Sequence, residues 1–254
     1  MGVVNVTPDS FSDGGQWFDH EQAIAHGRAM IAEGADVVDV GGESSRPGAE
    51  PVTEAEELRR VVPVVEALAG EVRVSIDTVK PAVARAAVAA GATLVNDVSA
   101  TLAPVAADLG VGYVAMHRQG TPATMQVDPR YDDVVREVAG FLADEAAAAR
   151  QLGIAEVWID PGIGFGKSLD HNLSLLRHLD ELVALGFPVL VGTSRKGFLG
   201  VLVGRSDGRD EPAGADDRLE ASLATATWAM ARGARMVRVH DVLPTVQAAK
   251  VVAA

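Results

Sequence analysis

The sequence of 254 residues contains no cysteine. That excludes disulfides, thiolate metal sites and cysteine nucleophiles, and it fits a reducing compartment. No apolar run reaches the roughly 18 residues that a membrane-spanning helix requires. The opening residues, Met-Gly-Val-Val-Asn, carry no basic region of a signal peptide. A cytoplasmic location with no membrane contact is the expectation. Positive charge is also scarce, with 22 Lys and Arg against 35 Asp and Glu for a net charge of −13. Nucleic acid and anionic membranes are held through basic surface, so neither is an expected partner. An anionic substrate would have to be caught by a few local cations working against the global field. No His/Asp cluster has the spacing of a metal site built from protein ligands alone.

What is present is an echo: a small-residue turn, a few apolar residues, then a polar one. It occurs as Val3-Val4-Asn5, Gly34-Ala-Asp-Val-Val-Asp39, Val74-Ser-Ile-Asp77 and Gly91-Ala-Thr-Leu-Val-Asn96. It continues as Gly112-Tyr-Val-Ala-Met-His117, Val157-Trp-Ile-Asp160, Pro188-Val-Leu-Val-Gly192 and Gly233-Ala-Arg-Met-Val-Arg-Val239. Between these stretches, apolar residues at three- and four-residue spacing predict helices over about 20–33, 53–69, 80–90, 103–109, 132–152, 172–185, 216–232 and 243–253. Continuous Val/Ile/Leu strands alternating with helices imply a parallel sheet covered on both faces. Eight such units in about 250 residues favour an α/β fold closed as a single (β/α)₈ TIM barrel, one domain over residues 1–254.

Catalytic groups in that fold sit at the carboxyl ends of the strands. Those ends offer Asn5, Asp39, Asp77, Asn96, His117, Asp160, the Ser194-Arg195-Lys196 run, and Arg238 with His240. The densest stretch is Ile159-Asp-Pro-Gly-Ile-Gly-Phe-Gly-Lys-Ser168, where a strand end runs into an acid, a proline and three alternating glycines. It fails both the Walker spacing and the dinucleotide fingerprint, leaving either a glycine-rich turn with a capping aspartate or a binding loop. Two further loops, Thr7 to Gly15 and Gly41 to Glu50, have glycines near their ends and carry Phe11 and Arg46 respectively, as lids would. The charged run Arg205 to Ala215 is expected to be solvated and mobile.

Asn96, Asp160 and Lys196 could read the edge of a flat heterocycle, since an amide beside a carboxylate suits a guanidine-like N–C–N edge. Phe165, Met116 and Arg238 could stack on its faces, and a structural ion pair is the competing reading of the Asp and Lys. Arg46, Arg195, Lys196, Arg238 and His240 form a rim of cations suited to phosphate, with Asn5 placed to help ligate a magnesium ion, Mg²⁺.

Taken together and in order, these motifs resemble the dihydropteroate synthase family over essentially the whole chain. They are Met1 to Gly15, Gly-Gly-Glu-Ser-Ser-Arg-Pro-Gly, Ser75-Ile-Asp-Thr78, Asn96-Asp-Val98, Met116-His-Arg-Gln-Gly120 with Thr124-Met-Gln126, Asp160 to Lys167, Ser194-Arg-Lys196 and Arg238-Val-His-Asp241. The resemblance implies condensation of 6-hydroxymethyl-7,8-dihydropterin diphosphate with 4-aminobenzoate, giving 7,8-dihydropteroate and pyrophosphate in folate biosynthesis. By position it implies a pterin site of Asp77, Asn96, Met116, Asp160, Phe165, Gly192, Lys196 and Arg238. It implies a pyrophosphate and Mg²⁺ site at Asn5, Arg238 and His240, and an aminobenzoate pocket of Phe11, Ser45, Arg46, Pro47, Ser194 and Lys196. Asp77, Asp160, Lys196, Arg238 and His240 would carry catalysis.

Ser45 stands where the family commonly has threonine, and the chain begins at the first barrel strand, without the N-terminal segment many members carry. A homodimer through the later outer helices is expected, with Leu219, Leu223, Ala226, Met230 and Trp228 on one face. Two other readings share the barrel: a non-catalytic pterin-binding paralogue, and a pterin methyltransferase acting with a corrinoid protein.

Overall fold

The structure is a computed structural model and describes residues 1–7, 20–44, 49–121 and 123–254. Its strands are β1 (Gly2–Asn5), β2 (Val37–Gly41), β3 (Arg73–Asp77), β4 (Leu94–Asp97), β5 (Gly112–Met116), β6 (Val157–Asp160), β7 (Leu190–Val191) and β8 (Met236–Val237). β1 to β6 pair in order and in parallel, as do β7 and β8. Two bridges close the ring, Ile159 to Val189 between β6 and β7, and Gly2 to Val239 between β8 and β1. At the second seam Val3 N donates to Val239 O over 3.0 Å, and Val239 N donates to Met1 O over 2.9 Å. The chain is the expected (β/α)₈ barrel.

The helices are α1 (His20–Ala32), α2 (Glu54–Leu68), α3 (Pro81–Ala89), α4 (Ala103–Leu109), α5 (Val134–Gln151), α6 (Leu169–Arg177), α7 (Leu179–Val183), α8 (Gly197–Ser206), α9 (Leu219–Ala231) and α10 (Val242–Val252). Local chemistry starts several of them. Thr53 Oγ1 accepts from Glu56 N ahead of α2, whose first turn is acidic, so side-chain cap and dipole act together. Asp133 caps α5 through Arg136 N. Ser168 and His171 exchange 3.2 Å bonds in a capping box at the start of α6. Among the described residues no helix is long and apolar enough to cross a membrane.

Alternation along the strands divides the interior into two regions. Residues pointing outward, such as Val4, Val38, Val40, Val74, Ile76, Val95, Ala115 and Ile159, join the helices in the larger hydrophobic cluster. Residues pointing inward form a smaller one of Met1, Val37, Leu94, Val114 and Leu190, flanked by Trp158 and Met236. Two residues further along five of the strands the inward position becomes small, polar or charged: Asp39 after Val37, Asn96 after Leu94, Asp160 after Trp158, Gly192 after Leu190 and Arg238 after Met236, while Met116 after Val114 stays apolar. The barrel is thus plugged with apolar side chains at its amino end and lined with polar groups at its carboxyl end.

Three expectations need correction. The helix predicted over 172–185 is two, α6 and α7, broken at His178. The indole of Trp228 donates to the carbonyl of Leu176 over 2.7 Å at this break, satisfying a group at the end of α6. Helix α8 was not foreseen. Its glycines depress helix propensity, and packing demands them, because a Cβ on Gly200 would lie 2.6 Å from Ala213 O and one on Gly204 2.4 Å from Glu211 O. The segment Arg205 to Ala215 is largely exposed as expected, but it is tied down. Ala213 is buried, its N–H donates to Gly200 O over 2.9 Å, and Arg218 Nε returns to Ala213 O at 2.9 Å.

Candidate active site

The polar ring at the carboxyl ends of the strands is built by register. Asn5 lies beside Gly41, Gly41 beside Asp77, and Asp77 beside Asn96, while Met116 lies beside Asp160. Arg238 reaches across the barrel from β8, its Nε 2.6 Å from Asp39 Oδ2 and its Nη2 2.8 Å from Asp77 Oδ2. Asn96 Nδ2 donates to the same Asp39 oxygen over 3.0 Å. Burial pushes the Asp77 carboxyl up to about 7, against the pull of Arg238 and with help from the neighbouring acids. The two flanking carboxylates hold Arg238 protonated, raising its pKa despite burial.

On the opposite wall Asp160 is buried at the end of β6 and accepts Gly162 N on Oδ1 over 2.7 Å. Burial raises its pKa, while Lys196 and the Gly162 N–H pull the other way. Lys196 precedes α8, and its ammonium donates to Ile163 O and lies 4.6 Å from the centre of the Phe165 ring. Burial lowers its pKa to about 8, although Asp160 favours the charged form. Asp160, Asn96 and Asp77 as acids and amide, with Lys196 and Arg238 as cations, present a donor and acceptor set suited to the edge of a flat polar ring in a slot between the two walls.

The glycines of the Asp160 to Lys167 loop fit the reading of a glycine-rich turn capped by the aspartate, and the packing of the chain requires them. Gly162, Gly164 and Gly166 all have positive φ, between 64° and 86°. A Cβ would lie 1.8 Å from His117 O at Gly162, 2.3 Å from Gln119 O at Gly166, and 3.1 Å from Lys196 Cδ at Gly164. What approaches this backbone is the chain itself, the β5 loop on one side and the Lys196 side chain on the other. The arrangement is fixed from beneath by Lys167, only 2% exposed, whose ammonium contacts His117 Nδ1 at 2.9 Å and Phe165 O at 3.1 Å. Burial depresses Lys167 to about 7 and His117 to about 3, the latter with the charge of Lys167 contributing.

A model of the pterin-binding enzyme family matches residues 1–240. The chain belongs to the pterin-binding enzymes. It is 47% identical over 262 residues to the dihydropteroate synthase of Escherichia coli strain K12, covering all of this chain and 90% of that one. The dihydropteroate synthase of Mycobacterium leprae is 49% identical over 264 residues, with coverage of 100% and 92%. Among solved structures, the Yersinia pestis dihydropteroate synthase in a sulfonamide drug complex superposes with a TM-score of 0.91 at 44% identity, covering 99% of this chain and 92% of that chain. The Xanthomonas albilineans dihydropteroate synthase in complex with 7,8-dihydropteroate gives 0.86 at 46% identity, covering 98% and 90%. The same enzyme with 4-aminobenzoic acid gives 0.90 at 49% identity, again covering 98% and 90%.

In this pterin-binding barrel the described candidates Asn5, Asp77, Asn96, Met116, Asp160, Gly192, Ser194, Lys196, Arg238 and His240 lie at or just beyond strand ends of one rim, and Phe165 follows in the β6 loop. His240 and Arg238 have separate partners, since Ser194 Oγ lies 3.0 Å from His240 Nδ1 and accepts His240 N at 3.1 Å. Arg195 is withdrawn from the phosphate rim, because Asp241 takes its guanidinium at 3.0 and 2.6 Å. His117 points away from the slot that Met116 lines, packing at 5.1 Å edge-on against Phe141. Phe11, Ser45, Arg46 and Pro47 lie outside the described residues. Two residues given no role from sequence stand out here. Asp39 sits under Arg238 and Asn96, and Lys167 sits under the Asp160 loop. Asp39 was visible as an acid inside an apolar strand, the kind of residue that is buried only with a partner.

Proposed function

We infer that this chain is a transferase that condenses 6-hydroxymethyl-7,8-dihydropterin diphosphate with 4-aminobenzoate, releasing pyrophosphate and giving 7,8-dihydropteroate in folate biosynthesis. The observation that carries the reading is the facing pair of walls, Asp77 and Asn96 with Arg238 on one side and Asp160 with Lys196 on the other, in a chain of this family. Asp160 and Asn96 would take the N–C–N edge of the pterin, Lys196 a ring acceptor, and Met116, Phe165, Gly192 and Arg238 its faces. The carbon that carries the diphosphate can lose it before the amine attacks, so the task is to stabilise a cationic pterin and an anionic leaving group. Asp77 and Asp160 would serve the cation, while Arg238, His240 and Asn5 would serve the anion.

The donor set fits a magnesium ion that arrives with the diphosphate. Asn5 supplies an amide oxygen at the end of β1, and Mg²⁺ is commonly held through one or two protein oxygens plus substrate phosphates. When bound, the ion would neutralise charge on the leaving group. Ser194 and Lys196 would border the aminobenzoate, with Phe11, Ser45, Arg46 and Pro47 from the two loops.

We further propose that the protein acts in the cytoplasm, as one domain over residues 1–254, and pairs as a homodimer through α9 and α10. There Trp228 and Leu243 are 45% and 48% exposed, whereas Ala226 is buried in its own barrel. The retained Lys196, Arg238 and His240 favour the synthase over a non-catalytic paralogue, and the Ser194-Arg195-Lys196 cluster favours it over a corrinoid-linked methyltransferase. Mixing both substrates with Mg²⁺ should release pyrophosphate and give 7,8-dihydropteroate in equal amounts. Pterin binding without such release would support the paralogue.

A further inference from the structure

The polar residue buried deepest in the slot, Asp39, has no role in the reaction as described above. It is 0% exposed, lies inside β2 rather than at its end, and sits two positions above the apolar plug. Burying a carboxylate is costly unless it is well paired, and a carboxylate retained to hold a fold together usually uses both oxygens. Asp39 does not. Its Oδ1 is buried with no hydrogen-bond partner among the described residues, as is Oγ of Ser75, its register neighbour on β3. Both hydrogen bonds it accepts arrive on Oδ2, and both come from side chains assigned above to the pterin: Arg238 Nε at 2.6 Å and Asn96 Nδ2 at 3.0 Å.

Two consequences follow. An ionised carboxylate only accepts, so Asn96 must turn its NH₂ toward Asp39 and its carbonyl Oδ1 toward the slot. The wall then offers an acceptor to a ring N–H, and without Asp39 either end of the amide could face the ligand. The guanidinium of Arg238 is likewise shared between Asp39 and Asp77. Removing Asp39 would give Arg238 wholly to Asp77 and tie up the carboxylate that the cationic pterin needs.

We propose that Asp39 is a positioning residue, which holds Arg238 between two acids and fixes the donor and acceptor polarity of Asn96, and thereby sets the specificity of the slot for the pterin ring. The proposal rests on the pterin site inferred above. Asp39→Asn tests it, because the replacement is isosteric and Asp77 still balances Arg238, so folding should survive. The KM for pterin diphosphate should rise about tenfold or more, the scale of a lost positioning contact. The KM for aminobenzoate should stay within about twofold, with the melting temperature close to wild type. Wild type and Asp160→Asn are assayed alongside. If Asp160→Asn loses pterin affinity while Asp39→Asn keeps it, the proposal fails and the site stands. An equal rise in both constants marks a merely structural acid and also overturns it. If wild type neither binds nor turns over the pterin, the underlying site is wrong and the proposal falls with it. Should Asp39→Asn not fold, Asp39→Ser, whose shorter side chain withdraws the acceptor from Arg238 and Asn96, is read in the same way.

Discussion

Replacing Asp160 by Asn keeps the shape of the slot and reverses one of its hydrogen bonds. In the structure Oδ1 of Asp160 is committed to the N–H of Gly162 at 2.7 Å, so Oδ2 is the oxygen left for a ligand. The amide in Asp160→Asn must keep its carbonyl on Gly162, because an NH₂ placed there would meet another donor. Its NH₂ then faces the slot where Oδ2 stood, and a guanidine-like edge made of donors meets a donor. The loss is at least one charge-assisted hydrogen bond, roughly 1.5–3 kcal/mol, which is about 10- to 150-fold in Kd. Stability should not suffer, since burial raises the Asp160 pKa and so marks its charge as unfavourable to the fold. Calorimetric titration with the pterin diphosphate, together with a thermal melt, reads both quantities. A pterin Kd within twofold of wild type, in a protein that melts normally, would remove Asp160 from the pterin site.

The anion pocket should separate in kinetics: His240→Ala should raise the KM for the pterin substrate about fivefold, the scale of one ordinary hydrogen bond, and leave that for aminobenzoate unchanged. Arg238→Ala is a poorer probe, because it strands the fully buried Asp39 and should cost about 3–5 kcal/mol of stability in a denaturant melt; native stability would contradict the central ion pairs. Gly162→Ala should unfold the β6 loop or lower the melting temperature sharply, as its Cβ would fall 1.8 Å from His117 O. A native-like melt would mean that this loop is not packed as described. Lys167 sets a pH dependence. Its folded pKa is depressed to about 7, so from there up to the unfolded value the unfolded chain binds the extra proton and stability rises with pH. Lys196, lowered to about 8, adds to the same rise at higher pH, so Lys167→Met should lessen the rise, most clearly between about pH 7 and 8, in melts followed across pH, and an unchanged slope would refute the assignment.

The barrel was legible because most strands are short Val/Ile/Leu-rich runs with a glycine or proline at one boundary, and all eight runs are strands. The division of each run into an outward and an inward face was not, because a strand buried on both sides has no polar alternation to mark it. That is why Asp39 passed as one more strand end, although it lies inside β2 and touches Asn96 and Arg238, residues 57 and 199 positions away. The strand-end acids Asp77 and Asp160 were readable from position alone. The His117–Lys167 contact was not, since it joins residues 50 apart whose only local cue was a lysine after three glycines. Helix α8 was hidden by Gly200 and Gly204, which tertiary packing requires and helix propensity penalises. Arg195 reads as a rim cation in the sequence because its partner Asp241 lies 46 residues away.

On the proposed function the pterin ring lies on the inward polar layer of the barrel, above the Leu94, Val114 and Leu190 plug. The most direct measurement is a crystal structure of this chain with 7,8-dihydropteroate bound. The pterin should accept from Lys196 and donate to Asp160 and to Oδ1 of Asn96, with Arg238 against its face and still held by Asp39. A pterin bound elsewhere on the barrel, or one whose edge meets neither Asp160 nor Asn96, would contradict it.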